Sequence, residues 1–174
     1  METIKFQGKM FAVVDKKVMI NELGRHAPGT PLIIEEDADT LVLTKEYRPE
    51  LNTYDIRLPG GKVCDSLGEY LALLEENVDL APKIEAAARK EALEEAGITN
   101  GEFSLIHTSV AGLTVEWDLH YFLVKDIKVG AQELEEHEDI EVVRVKKDEA
   151  KAMCLDGRIS EERSALILLK YLSS

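Results

Sequence analysis

Disulfides, membrane spans and a basic surface are all missing from this sequence. Only two cysteines, Cys64 and Cys154, occur in 174 residues. That excludes a disulfide framework and points to a reducing cytoplasm. No apolar run approaches the roughly 20 residues of a spanning helix, and Met1-Glu2-Thr3 begins nothing like a signal peptide. Cations are scarce: 21 Lys and Arg face 34 Asp and Glu, a net charge of −13, which argues against a nucleic-acid or anionic-membrane partner. There is no CxxC, no P-loop lysine motif, no GxSxG, no internal repeat and no low-complexity tract. What is present is globular, with 45% hydrophobic and 32% charged residues, enough for one domain with a sizeable core.

The most informative stretch is AAARKEALEEAGI, residues 86–98. Its residues are good helix formers and Gly97 is a natural stop. On a helix Glu91 and Glu95 project together, with Glu94 roughly 60° to the other side of Glu91. Three like charges this close repel, and a hard cation with oxygen ligands turns repulsion into coordination. A solvated acidic face held by Lys90 and Arg89 accounts for the same pattern, and spacing alone does not separate the two.

Residues 4–20 read as strands around the polar turn Asp15-Lys16-Lys17, and residues 21–30 as turn-rich. PLIIEE and TLVLTKEYR flank Asp37-Ala38-Asp39 as a hairpin. Leu58-Pro59-Gly60-Gly61 forces a turn where backbone approaches a ligand closely. Leu67, Tyr70, Leu71, Leu73 and Leu74 form the apolar side of a short helix that ends before Pro82. FSLIHTSV and HYFLVKDIKV read as strands joined through a loop at 111–118, and EVVRV as another. ELEEHEDIE, residues 133–141, places six acids in nine residues. Helices are expected at 147–155 and 160–172, the latter with Ser160 as N-cap and Leu166, Leu169 and Leu172 packing. Mixed strands followed by interleaved helices make an α/β or α+β sandwich. His107 and His120 sit in strand-like runs as structural residues, and Trp117 fits either a stacking or a packing role.

Lys90-Glu91-Ala92-Leu93-Glu94-Glu95-Ala96-Gly97-Ile98 resembles the second half of the Nudix box, REUxEExGU, with lysine where arginine is usual. Lys45 to Pro49 and Leu58 to Gly61 are similar to the QYR and ELPAG segments of the ADP-ribose pyrophosphatase branch. Arg25 to Gly29, Ser109 to Glu116 and Glu136 to Val142 resemble further segments of that branch, in the same order. The resemblance implies a single Nudix domain over 1–174, an α/β/α sandwich with a mixed sheet and an N-terminal antiparallel β-segment at 1–35. It also implies magnesium, or manganese in its place. The activity implied is hydrolysis of ADP-ribose or a related nucleoside diphosphate sugar to a nucleoside monophosphate and a sugar phosphate.

Carried over residue by residue, the resemblance makes Glu91, Glu94, Glu95 and the Gly60 carbonyl metal ligands. Glu136 and Glu138 become candidates for the general base, Glu136 slightly favoured. Arg48, with Glu46 and Tyr47 nearby, becomes a phosphate or ribose contact, and Lys90 pairs with a box carboxylate. A homodimer joined through residues 1–35 is implied as well. Two departures stand out. Lys90 lies 29 positions after Gly61 where the box has 14, so 62–82 carries an insertion that either caps the pocket or packs on a neighbour, and Glu69 is the displaced candidate for the box glutamate. Arg57 stands where the branch has glutamate, and an arginine there suits a phosphate. These departures keep two alternatives open: hydrolysis of a nucleoside triphosphate or dinucleoside polyphosphate, and a binding or interaction module without catalysis.

Overall fold

Continuous apolar runs on the central strands dictate a sheet covered on both faces. The computed structural model describes residues 2–16, 22–49, 52–136 and 138–174. In chain order the elements are β1 (Thr3–Gln7), β2 (Phe11–Asp15), β3 (Glu22–His26), β4 (Leu32–Glu35), β5 (Thr40–Arg48), β6 (Thr53–Arg57), α1 (Leu67–Glu75), α2 (Ala81–Ala96), β7 (Ile98–Ser109), β8 (Val115–Glu116), β9 (Leu119–Val129), β10 (Ile140–Lys146), α3 (Lys147–Asp156) and α4 (Glu162–Tyr171).

The main sheet has the order β10-β5-β4-β9-β7, with β6 also paired to β5. It is mixed, because β4 runs parallel to β9 while its other ladders are antiparallel. Alternation along the strands separates two cores. Leu32 and Ile34 of β4, Val42 of β5, and Phe122 and Val124 of β9 face Ile84, Ala88 and Ala92 of α2. Ile33, Leu41, Leu43 and Tyr121 face the other way, onto Met153 of α3 and Leu168 of α4. Helix, sheet and helices thus form the expected α/β/α sandwich.

A second, four-stranded sheet has the order β1-β2-β3-β8. Its β3 runs through residues that read as turn-rich, because Leu23 and Arg25 alternate inward where the local punctuation of Gly24 and Pro28 suggests none. Its β8 occupies part of the expected loop and pairs in parallel with Gly24 and Arg25. Residues 17–21, half of the expected N-terminal turn and strand, lie outside the described residues, as does His137.

Segment 62–82 packs on a neighbouring sheet through its helix and lends Lys62, Val63 and Asp65 to the wall of the cleft along α2. Ser66 and Glu69 start α1 as a capping box: Ser66 Oγ accepts from the Glu69 amide at 3.2 Å and Glu69 accepts from the Asp65 amide at 3.0 Å. Glu69 is thereby committed to a helix start and to Lys83, 2.6 Å away, and stands outside the acidic site. Leu67, Tyr70 and Leu71 cover Ala12, Val14 and Leu23 of the second sheet, while Tyr70 and Leu73 also touch the α2 core. The helix is therefore a strut between the two sheets.

At α4 the cap is Glu161, whose carboxylate accepts from the Ser164 amide at 2.7 Å; Ser160 instead donates its hydroxyl to Asp55. Leu166, expected to pack, is 52% exposed, and Ile167 and Leu168 fill the core in its place. Leucines follow one another so closely along 166–169 that spacing does not fix the buried face.

Candidate active site

Two neighbouring glycines set the geometry. Gly60 adopts φ +142° and is pressed so closely on the neighbouring chain that a Cβ there would lie 2.2 Å from the Thr30 carbonyl oxygen. The Thr30 amide donates to the Gly61 carbonyl at 2.9 Å, and the Leu32 amide to the Pro59 carbonyl at 2.8 Å, which sews the turn to the start of β4. Gly61 is bare for a different reason: a Cβ would lie 2.1 Å from Glu91 Oε1. The absent side chains let α2 bring carboxylates onto the main chain.

Helix α2 begins with Pro82 in its first turn and ends on Gly97 at φ +68°, as its sequence predicts. Glu91 and Glu95 leave it on one face, and the Gly60 amide donates to Glu95 Oε2 at 2.7 Å. Burial pushes Glu95 up to about 8, against the pull of that amide, and repulsion from Glu91, Glu138 and Glu46 adds to the rise. Burial likewise pushes Glu91 up to about 7, with Lys90 opposing and Glu94, Glu138 and Glu135 adding. Glu94 does not join them. Its carboxylate pairs with Lys90 at 2.9 Å along the outer side of the helix.

The acidic loop is tied to the same helix end. Gln132 donates its side-chain amide to the Glu95 carbonyl at 2.6 Å and to Ile140 at 3.1 Å, and the Glu133 amide donates to the Glu94 carbonyl at 3.1 Å. This anchoring turns Glu138 toward Glu91 and Glu95, while Glu136 occupies an exposed turn. Of the two candidates for the base, the structure brings Glu138 to the pair and leaves Glu136 outside.

Two clefts meet at the glycine turn, and both are bounded by Gly61 and Lys62. One, of about 660 Å³, lies along α2 and is lined by Glu91, Glu95, Glu135 and Glu138 with Lys83 and Lys90 at its margin. The other, of about 440 Å³, holds Thr30, Arg48, Arg57, Trp117 and Arg163. A third concavity, of about 670 Å³, lies away from the carboxylates; there Glu35 already pairs with Lys125 and Lys147.

The remaining predicted residues divide. Arg48 pairs with Glu46 at 2.5 Å beside the second cleft, and burial raises Glu46 although Arg48 and Arg57 pull it down. Tyr47, one residue between them on a strand, points to the opposite face and donates to Asn52 at 2.8 Å. It lines neither of the two clefts. Arg57 reaches the second cleft and is held by Asp55, a buried carboxylate that also accepts from Ser160 Oγ at 2.9 Å. Sequence reasoning missed Asp55, Thr30 and the Glu161-Arg163 pair, because each acquires its neighbour only through the fold.

A divalent metal suits the donor set. Glu91 and Glu95 are hard oxygen donors, half-buried and mutually repelling, which is the environment a small cation relieves. Among the described residues no group of three or more His, Cys, Asp or Glu side chains is placed to hold a metal ion unaided. The set matches an open site completed by substrate oxygens and water rather than an all-protein cage.

No profile of a known protein family matches the chain. Among curated proteins it is 30% identical over 151 residues to the GDP-mannose pyrophosphatase of Enterobacter sp. (strain 638), covering 83% of this chain and 72% of that protein. Among solved structures it superposes on an ADP compounds hydrolase with a TM-score of 0.68 at 16% identity, covering 98% of this chain and 90% of the other. The second match establishes a shared fold.

Proposed function

This chain belongs to the Nudix family of pyrophosphohydrolases, and from that premise we propose that it hydrolyses the diphosphate bond of ADP-ribose or a related nucleoside diphosphate sugar. The products are a nucleoside monophosphate and a sugar phosphate. The observation that carries the reading is the Glu91-Glu95 pair, half-buried against Gly60 and Gly61 and pushed up by that burial, with mutual repulsion adding to the rise. The relatives' names support the bond while differing in the base, one guanine and one adenine.

In this reading Glu91 and Glu95 hold magnesium, or manganese in its place, with Glu94 joining directly or through water once released from Lys90. The metal, when bound, neutralises phosphate oxygens and so lets a nucleophile approach. The chain's own residues do the rest. The Gly60-Gly61 turn lays main chain against the diphosphate, with the Gly60 carbonyl as a further ligand. Glu138 accepts the proton of the attacking water, a role that needs hydrogen-bond reach and that the anchored loop supports better than it supports Glu136. Arg48 and Arg57, on the other side of the turn, bind phosphate or ribose oxygens.

Residues 1–174 form one Nudix domain, with the 62–82 insertion as an internal brace. A homodimer joined through residues 1–35 is supported by Phe6, Met10 and Phe11, each close to half exposed on the second sheet. Light scattering tests it, and a monomer overturns it. Neither cysteine is bridged, which suits a reducing cytoplasm, and no helix among the described residues is long and apolar enough to cross a membrane.

The activity is tested by incubating the full chain with magnesium and ADP-ribose or GDP-mannose, then separating products. Nucleoside monophosphate and sugar phosphate in equal amounts support the reading. Folded protein that cleaves no diphosphate compound overturns it. The Glu95→Gln variant separates catalysis from mere binding: a variant that folds but turns nothing over excludes the binding-module alternative.

A further inference from the structure

Among the described residues, six lysine and arginine side chains line the two clefts that meet at the glycine turn. Five are already engaged. Lys83 pairs with Glu69, Lys90 with Glu94, Arg48 with Glu46, Arg57 with Asp55 and Arg163 with Glu161. The sixth, Lys62, has no carboxylate within ion-pair distance among the described residues. It is also the one charged side chain that bounds both clefts.

The main chain of Lys62 is fixed from both sides. It forms an antiparallel bridge with Gly29. Before it, the Thr30 amide donates to the Gly61 carbonyl at 2.9 Å; after it, the Val63 amide donates to the Pro28 carbonyl at 3.0 Å. Val63 and Cys64 are then buried in the core beneath α2. The Lys62 side chain itself is exposed. A compact ammonium with three donors thus stands on a flexible stem above a rigid base. The position is this chain's own: the similarity to the ELPAG segment ends at Gly61, and Lys62 opens the added segment 62–82.

A diphosphate crossing the turn meets a protein of net charge −13 and a cleft walled by Glu91, Glu95, Glu135 and Glu138. An arginine already paired must share its carboxylate's attraction to meet a phosphate, whereas Lys62 gives up only water. When the diphosphate bond breaks, the departing phosphate gains negative charge. A cation held there acts more strongly on the transition state than on the bound substrate.

We propose that Lys62 binds the diphosphate at the turn and stabilises the charge that develops on the departing phosphate. Water attacks one phosphorus and its proton passes to Glu138. The bond from that phosphorus to the bridging oxygen breaks, and its electron pair stays on that oxygen. The oxygen leaves as part of a phosphate monoester, while Lys62 stays protonated and donates a hydrogen bond to it. The proposal rests on the reading of the chain as a nucleoside diphosphate sugar hydrolase.

The test compares Lys62→Met and Lys62→Arg with Lys151→Met, which removes the same charge from the concavity away from the carboxylates. Each full-length variant is checked by circular dichroism and assayed with magnesium and ADP-ribose or GDP-mannose. Lys62→Met should lower kcat by about 100-fold, on the order of one lost donor to a developing anion. Lys62→Arg, which keeps the charge, should recover most of that loss, and Lys151→Met should stay within about twofold. A second readout needs no turnover: calorimetry with ADP-ribose whose bridging oxygen is replaced by methylene, which is not cleaved. Its affinity should fall severalfold in Lys62→Met and hold in Lys151→Met. The proposal is overturned if folded Lys62→Met keeps kcat, if Lys62→Arg falls as far as Lys62→Met, or if Lys151→Met falls equally. Turnover unimpaired by Lys62→Met sinks the assignment of Lys62 alone. Binding of the methylene analogue that depends on Lys62, without turnover of any diphosphate compound, sinks the enzyme reading alone.

Discussion

The carboxylate of Glu91 occupies the space in which a side chain on Gly61 would begin, with Oε1 2.1 Å from the position of a Cβ. The obstructing atoms belong to the far end of a flexible side chain, so the fold can absorb a methyl group by moving Glu91. Gly61→Ala is therefore expected to fold with little change in melting temperature and to lose about 100-fold in kcat/KM, because an ångström of misplacement at a reacting centre costs that much. Steady-state kinetics beside circular dichroism checks both halves.

Gly60→Ala behaves in the opposite way. Here the obstruction is the Thr30 main chain, and φ +142° is strained for any residue with a Cβ. A loss of about 3 kcal/mol or more in unfolding free energy is expected. Denaturant titration measures it, and a near-native midpoint would contradict the tightness of the turn.

Glu95 links stability to pH. In metal-free protein its folded value of about 8 lies above the ordinary value near 4.5, so the folded state holds the proton more tightly. Stability from this group is full at low pH and is lost as pH rises from about 4.5 to about 8. Glu95→Gln keeps an acceptor for the Gly60 amide and removes the titration. The variant should be more stable than the unaltered chain above pH 8 by roughly 2 to 4 kcal/mol, with no gain near pH 4, and it should be inactive. Magnesium should raise the melting temperature of the unaltered chain at pH 8 and leave that of the variant nearly unmoved.

The two loop acids are separable. Glu138→Gln is expected to reduce kcat by 10²-fold to 10⁴-fold, on the order of a lost general base, whereas Glu136→Gln, in an exposed turn, should leave kcat within about twofold. Equal effects would return the base to an open question.

Glu35 titrates in the reverse sense. Although burial alone would raise it, Lys147, Tyr171 and Lys125 hold it down at about 2. Its contribution is present above the ordinary carboxylate value and lost as pH falls from about 4.5 to about 2. Glu35→Gln should cost about 2 kcal/mol at pH 7, and the difference should vanish near pH 2. Thermal unfolding across that range tests it.

Much of this was legible in the sequence where a single local signal sufficed. Pro82 and Gly97 bound α2, and helical spacing put Glu91 beside Glu95. Spacing does not report where a side chain turns: Glu94 pairs with Lys90, four residues back, as the resemblance implies for a box carboxylate. Tyr47 adjoins Arg48 in sequence, and on a strand adjacency means opposite faces. Thr30, Asp55 and Arg163 carry no local signal: their neighbours Gly61, Ser160 and Trp117 are remote in the chain or ordinary in type, and only the packing of β6 and α4 against the turn makes them a cleft.

The strut α1 has a consequence for how this family can change length. By the resemblance, this helix belongs to an insertion, with 29 positions from Gly61 to Lys90 where the box has 14. Doubling a closed loop costs only about 0.6 kcal/mol of chain entropy, and burying Leu67 and most of Tyr70 on the second sheet offsets that. The middle of a catalytic motif is thus a permissive place for growth, provided both ends of the added segment return to the same glycine turn and the same helix. Shortening it again is not equally permitted: cutting back to the family length would uncover Ala12, Val14 and Leu23 together. Adding the segment costs the chain little, whereas removing it strips the second sheet of its apolar cover.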